Sequence, residues 1–133
     1  MSSVRVLVVD DLSDMRMLIG LTLRRNKWSV LEAKHGEQAI EVAQSERPDV
    51  ILMDYDMPTM NGLEACLALT TNPDTKNIPV IIYTGYSASH IRDDALNAGA
   101  KSFLLKPITP TKLRKEIESV LGSHSQHESR TTE

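Results

Sequence analysis

Apolar residues gather in four short runs along this chain: residues 4–9 (VRVLVV), 50–53 (VILM), 80–83 (VIIY) and 102–105 (SFLL). The first three are rich in Val and Ile. Each run is short and little interrupted by polar positions, the pattern of strands buried on both faces of a parallel sheet. A fifth run, residues 28–32 (WSVLE), mixes polar and apolar positions as an edge strand does.

The segments between the runs have helical period. Met15, Leu18, Ile19, Thr22 and Leu23 fall on one predicted face, Ala39, Ile40 and Ala43 on the next, and Leu63, Cys66, Leu67 and Thr70 on a third. Ile91, Ala95 and Ala98 form a fourth, with Gly99 placed to end that helix. The fifth helix has Thr109 as N-cap and Pro110 at its first position, followed by the stripe Leu113, Ile117, Val120 and Leu121. Strand and helix alternate five times. This predicts an α/β domain with a mostly parallel sheet, right-handed crossovers and helices on both faces. After Leu121 the sequence GSHSQHESRTTE has no apolar residue to offset its ordering entropy. The expected organisation is one domain over residues 1–122 and a polar, disordered tail over 123–133.

Composition narrows the class. With 133 residues, 25% of them charged and 41% hydrophobic, the chain has room for a single such domain. That size needs neither disulfides nor structural zinc. The one cysteine, Cys66, rules out an internal disulfide and a CxxC metal site. It suits a reducing compartment, so a cytoplasmic location is expected. A net charge of −3, from 15 basic against 18 acidic residues, argues against direct nucleic-acid binding. The start MSSVRVLVVDD is unlike a signal peptide. No stretch approaches the ~20 apolar residues that span a bilayer, and no membrane association is expected.

In an open parallel sheet, ligands bind outside the carboxyl ends of the strands. Asp10 and Asp11 follow the first predicted strand, and Asp54, Tyr55 and Asp56 the third. Thr84 and Gly85 follow the fourth, and Lys106 and Pro107 the fifth. A lone aspartate at a strand end is most often a turn former or helix cap. Asp10, Asp11 and Asp54 together are different, because two carboxylates ~4 Å apart repel by about 4 kcal/mol at an effective dielectric near 20. A divalent cation relieves that cost, and an oxygen-only set suits Mg²⁺. With Lys106 and the Thr84 hydroxyl opposite, the rim is suited to phosphoryl oxygens. No glycine-rich phosphate loop is present. Asp54 is therefore the candidate acceptor of a phosphoryl group, as a carboxylate nucleophile.

Four segments, LVVDD, LMDYDMPTMNG, YTG and FLLKP, carry a resemblance. In that order, at those strand ends, the sequence resembles the CheY-like receiver domains of two-component response regulators, from Val4 to about Leu121. The resemblance implies a flavodoxin-like, doubly wound (βα)5 fold with strand order 2-1-3-4-5. It implies Asp54 as phosphoacceptor, with Thr84 and Lys106 contacting the phosphoryl oxygens. It further implies Mg²⁺ (or Mn²⁺) held by Asp10 (largely through water), Asp11, Asp54 and the backbone carbonyl of Asp56, and a cis peptide at Lys106–Pro107. The switch pair would be Thr84 and Phe103, where Phe103 stands in place of the commoner tyrosine. Asp56 and Tyr86 occupy the positions that tune dephosphorylation. The implied partners are a sensor histidine kinase or histidine phosphotransfer protein and a downstream target or output domain, with the chain a monomer or weak dimer. The product of such a domain is a conformation rather than a turned-over substrate.

Two alternatives stand beside it. Asp54-Tyr55-Asp56 superficially fits the DxD motif of haloacid-dehalogenase-type phosphatases, although that motif belongs after a first strand and expects a further acidic pair after its lysine. A degenerate receiver would act only as a binding scaffold. Cys66 reads as core packing and Trp28 as edge packing. His35, His90, His124 and His127 lack ligand spacing, apart from the last two, which read as solvated. Arg24, Arg25 and Lys27 read as a solvated helix end.

Overall fold

The structure is a computed structural model that describes residues 4–85 and 89–132, the side chains of Ser89 and residues 123–132 excepted. Five strands and five helices alternate: β1 (Arg5–Val9), α1 (Ser13–Arg25), β2 (Ser29–Ala33), α2 (Gly36–Glu46), β3 (Val50–Asp54), α3 (Gly62–Thr71), β4 (Val80–Thr84), α4 (Ser89–Asn97), β5 (Ser102–Leu105) and α5 (Pro110–Thr132). The strands form one parallel sheet in the order β2-β1-β3-β4-β5. This is the flavodoxin-like doubly wound arrangement, and it puts β1 and β3 side by side where the winding reverses.

Alternation along the strands builds two cores. Val6, Val8, Val50, Leu52, Ile81 and Tyr83 pack with Ile19 and Leu23 of α1 and Leu113, Ile117 and Val120 of α5. Leu7, Val9, Ile51, Met53, Val80 and Ile82 pack with residues of α2, α3 and α4, among them Ala39, Cys66 and Ala95. Both faces of the three central strands are covered, which is why their sequences are unbroken apolar runs.

Two helix faces differ from the hydrophobic pattern. On α1 the buried residues are Arg16, Ile19, Gly20 and Leu23, while Leu18 is 61% exposed. On α3 they are Gly62, Ala65, Cys66 and Leu69, and Leu67 is 52% exposed. Each stripe keeps i, i+3, i+4, i+7 spacing but is turned so that one leucine of the hydrophobic pattern, Leu18 or Leu67, faces solvent. Small residues let these helices approach the sheet closely, and hydrophobicity alone does not register a glycine. β2 is displaced one residue from the predicted run, and β1 begins at Arg5 rather than Val4.

Local punctuation follows backbone chemistry. Gly99 adopts φ +99°, and its amide and that of Ala100 close on the last turn of α4. Thr109 caps α5, its hydroxyl accepting from the Lys112 amide at 3.2 Å. The backbone of α5 runs on to Thr132, across the segment that composition assigns to a disordered tail. That segment contains no proline, and most of its residues tolerate helical geometry. The last buried side chain described in α5 is Val120.

Gly62, at the start of α3, has a steric role. A Cβ there would press on the Asp54 carbonyl and lie 2.8 Å from the Tyr55 Cα, both backbone atoms that cannot swing away. Gly62→Ala is expected to cost about 2–3 kcal/mol in urea unfolding and to displace the β3–α3 loop. An unchanged midpoint would show that this close approach is relaxed in solution.

Candidate functional site

The register assembles the site. Val9 pairs with Met53 and Asp54 with Tyr83, while Tyr83 pairs with Leu104 and Thr84 with Leu105. One step beyond β1 lies Asp10, and one step beyond β5 lies Lys106. Asp10, Asp54 and Tyr83 therefore stand level in a row across β1, β3 and β4 at the carboxyl edge, and Lys106 lies two residues beyond Leu104, the β5 residue level with Tyr83. By strand alternation all four side chains fall on the α1/α5 face.

Asp10 is fully buried, and each of its carboxylate oxygens accepts a hydrogen bond. Oδ1 takes the Leu12 amide at 2.9 Å, and Oδ2 takes the Tyr83 hydroxyl at 2.7 Å. Its backbone carbonyl accepts from Arg16 Nη1 at 2.6 Å, and Arg16 Nε pairs with Glu32 at 3.0 Å. Asp54 is 1% exposed. Its Oδ1 accepts the Asp56 amide at 3.2 Å and lies 3.5 Å from Lys106 Nζ. Lys106 sits over the Tyr83 ring, 5.2 Å from its centroid, and its peptide bond to Pro107 is cis. Thr84 is buried, and its hydroxyl donates to Asp56 Oδ2 at 3.4 Å.

Carboxylate oxygens of Asp10, Asp11 and Asp54 all lie within 4.8 Å of one another, with Asp11 on the exposed side. Burial, and then the charge of Asp10, push the Asp54 carboxyl up from 3.8 to about 7, against the pull of Lys106. The cluster thus carries more negative charge than Lys106 offsets. Its donors are all hard oxygens and one side is open. These features fit a hard divalent cation and do not fit a thiophilic metal. Burial and Asp10 also push the Tyr83 phenol far above its ordinary range, so it remains a hydrogen-bond donor.

Asp10, Asp11, Asp54, Asp56, Thr84 and Lys106 are thus brought together. Phe103 lies next to this row on β5, partly buried against the α2–α4 side of the sheet. Tyr86 falls outside the described residues, as do the side chains of His124 and His127. Cys66 is buried in the core, which pushes its thiol up to about 12. Sequence reasoning passed over Tyr83 and Arg16. The available signal was that a tyrosine ending a fully buried strand must find a partner for its hydroxyl.

Known proteins share this architecture. Residues 6–118 match the family described as "Response regulator receiver domain". The chain is 38% identical to the chemotaxis protein CheY1 of Helicobacter pylori over 122 residues, covering 90% of this chain and 98% of that protein. A structure of CheY4, a chemotaxis protein of Vibrio cholerae, matches with a TM-score of 0.85 at 31% identity, covering 90% of this chain and 99% of that one. The receiver domain of a sensor histidine kinase from Pseudomonas aeruginosa PAO1, described with a magnesium ion coordinated in its active site cleft, matches with a TM-score of 0.84. It is 26% identical, with coverage of 91% of this chain and 99% of that one.

Proposed function

Because the chain belongs to the response regulator receiver domain family, we propose that it is a signalling switch thrown by phosphorylation of Asp54. The observation that carries this reading is the charge arrangement around that carboxylate. Asp10 and Asp11 lie on one side within 4.8 Å, and Lys106 lies on the other at 3.5 Å.

Asp10, Asp11 and Asp54 would hold Mg²⁺ (or Mn²⁺), Asp10 largely through water, with the Asp56 carbonyl as a further ligand. The bound ion would keep Asp54 ionised and offset charge on a phosphoryl group. Asp54 attacks the phosphorus of a phosphohistidine on a sensor histidine kinase or histidine phosphotransfer protein. The O–P bond forms as the P–N bond breaks, and the imidazole leaves with the electron pair and takes a proton from solvent. Lys106, already beside Oδ1, pairs with a phosphoryl oxygen. Thr84 exchanges its long bond to Asp56 for another phosphoryl oxygen. Its movement opens space that Phe103 fills, and the α4-β5-α5 face repacks to address a partner or output domain.

The test is incubation with a small phosphodonor and Mg²⁺, read by mass spectrometry. One phosphoryl group on Asp54 is expected, and an unlabelled protein would overturn the reading. For the switch step, the Phe103 ring resonances are expected to move when beryllofluoride is added. Unmoved resonances would remove Phe103 from the mechanism.

A protein donor must also dock beside the rim. Met15, Leu18, Ile19, Thr22, Pro107 and Ile108 help line a mostly apolar groove of about 300 Å³ next to Lys106. Leu18→Asp, at a 61% exposed position, is expected to leave the fold and small-donor labelling intact. Transfer from a phosphohistidine protein should slow by about tenfold, as for a contact near an interface centre. Equal slowing with both donors would place the defect in the site and not in docking.

A further inference from the structure

We propose that Tyr83 is a positioning residue for the metal site, its hydroxyl fixing the Asp10 carboxylate in the orientation that the cation needs. The inference rests on the reading that Asp10, Asp11 and Asp54 hold Mg²⁺. Tyr83 stands on β4, separated from β1 by the whole of β3, a span of about 10 Å. Among the strand residues of the row, only a side chain as long as a phenol crosses that gap. The ring is fully buried, and its hydroxyl ends 2.7 Å from Asp10 Oδ2 and 3.4 Å from the Val9 carbonyl.

With the Leu12 amide on Oδ1, both ends of the Asp10 carboxylate are tied, so the group cannot rotate away from Asp54. Each oxygen keeps a second lone pair for a metal or its water. The carboxylate is held in place before a cation arrives, and groups that orient ligands in this way typically contribute 10- to 100-fold to metal affinity. The same ring forms the floor beneath Lys106. One aromatic residue thus touches both the acidic and the basic sides of the site, and the change to phenylalanine separates these contacts by removing only the hydroxyl.

Mg²⁺ titrations followed by backbone amide shifts test this on wild type, Tyr83→Phe, Asp10→Asn and the double variant. Tyr83→Phe is expected to weaken Mg²⁺ binding about tenfold while keeping native spectral dispersion. In the Asp10→Asn background the same change should add nothing. In the unmodified protein the Tyr83 ring Cζ resonance should move as Mg²⁺ saturates the site, a readout that needs no variant to fold. The inference is overturned by unchanged affinity in Tyr83→Phe, by an equal loss in the Asp10→Asn background, or by a stationary Cζ resonance. Wild type that fails to bind Mg²⁺ would instead overturn the metal-site reading itself.

Discussion

Asp54→Asn is expected to abolish labelling by a small phosphodonor and, above neutral pH without metal, to raise the resistance of the fold to urea. Both results come from one cause. In the folded chain the Asp54 carboxyl titrates near 7, against 3.8 as its ordinary value. Between those two pH values the folded protein holds a proton that the unfolded chain releases. Stability therefore falls as pH rises through this window, and the full penalty is present above about 7. The shift sets an upper limit of about 4 kcal/mol on that penalty. Asparagine removes the charge and keeps an oxygen to accept the Asp56 amide. It forfeits the attraction of Lys106, which is 3.5 Å away and partly solvated and so offsets little. A net gain of about 2 kcal/mol at pH 8 is expected, shrinking to a small fraction of that at pH 4, where the folded carboxyl is neutral and the unfolded one is only about half ionised. Urea midpoints at the two pH values check this. A variant less stable than wild type at pH 8, or one that still takes the label, would refute the assignment. A residue whose charge weakens the fold has its explanation in chemistry rather than in folding.

The residues of the rim were legible because parallel α/β architecture sends every strand end to the same edge. Asp10, Asp11, Asp54, Thr84 and Lys106 could each be placed from the apolar run that precedes it. Side-chain reach was not legible. Tyr83 closes an apolar run and reads as core, and only the register that sets it level with Asp54 reveals where its hydroxyl ends. Helix orientation was half legible. The period of α1 is plain, but its buried stripe includes Arg16 and Gly20, residues that a hydrophobic pattern assigns to solvent. Arg16 is buried because its guanidinium finds the Asp10 carbonyl and Glu32, a tertiary pairing that local sequence does not encode. The DxD likeness to dehalogenase-type phosphatases also dissolves with the topology. Asp54 ends β3, the third strand, and the chain's match is to receiver domains along residues 6–118.

The stability gained from Mg²⁺ is expected to vanish in acid. At pH 8 the site is ionised and short of positive charge, so a cation that binds only the folded state raises the unfolding free energy by about 2.7 kcal/mol at a hundred times its dissociation constant. Below pH 7 a proton on Asp54 competes for the same site. One competing proton lowers the apparent affinity about tenfold for each pH unit. From pH 8 to pH 5 the affinity should fall by about a hundredfold, and the same Mg²⁺ concentration then stabilises by less than about 0.5 kcal/mol. Thermal unfolding with and without Mg²⁺ at pH 8, 6 and 5 measures the trend. Sodium chloride at matched ionic strength is expected to reproduce little of the effect, because Asp10 and Asp54 are buried and screened weakly by mobile ions. Asp54→Asn should flatten the pH dependence, since the competing proton has gone. An Mg²⁺ shift of equal size at pH 5 and pH 8 would mean that the ion binds elsewhere, and that the raised Asp54 carboxyl and the acidic cluster are not one site.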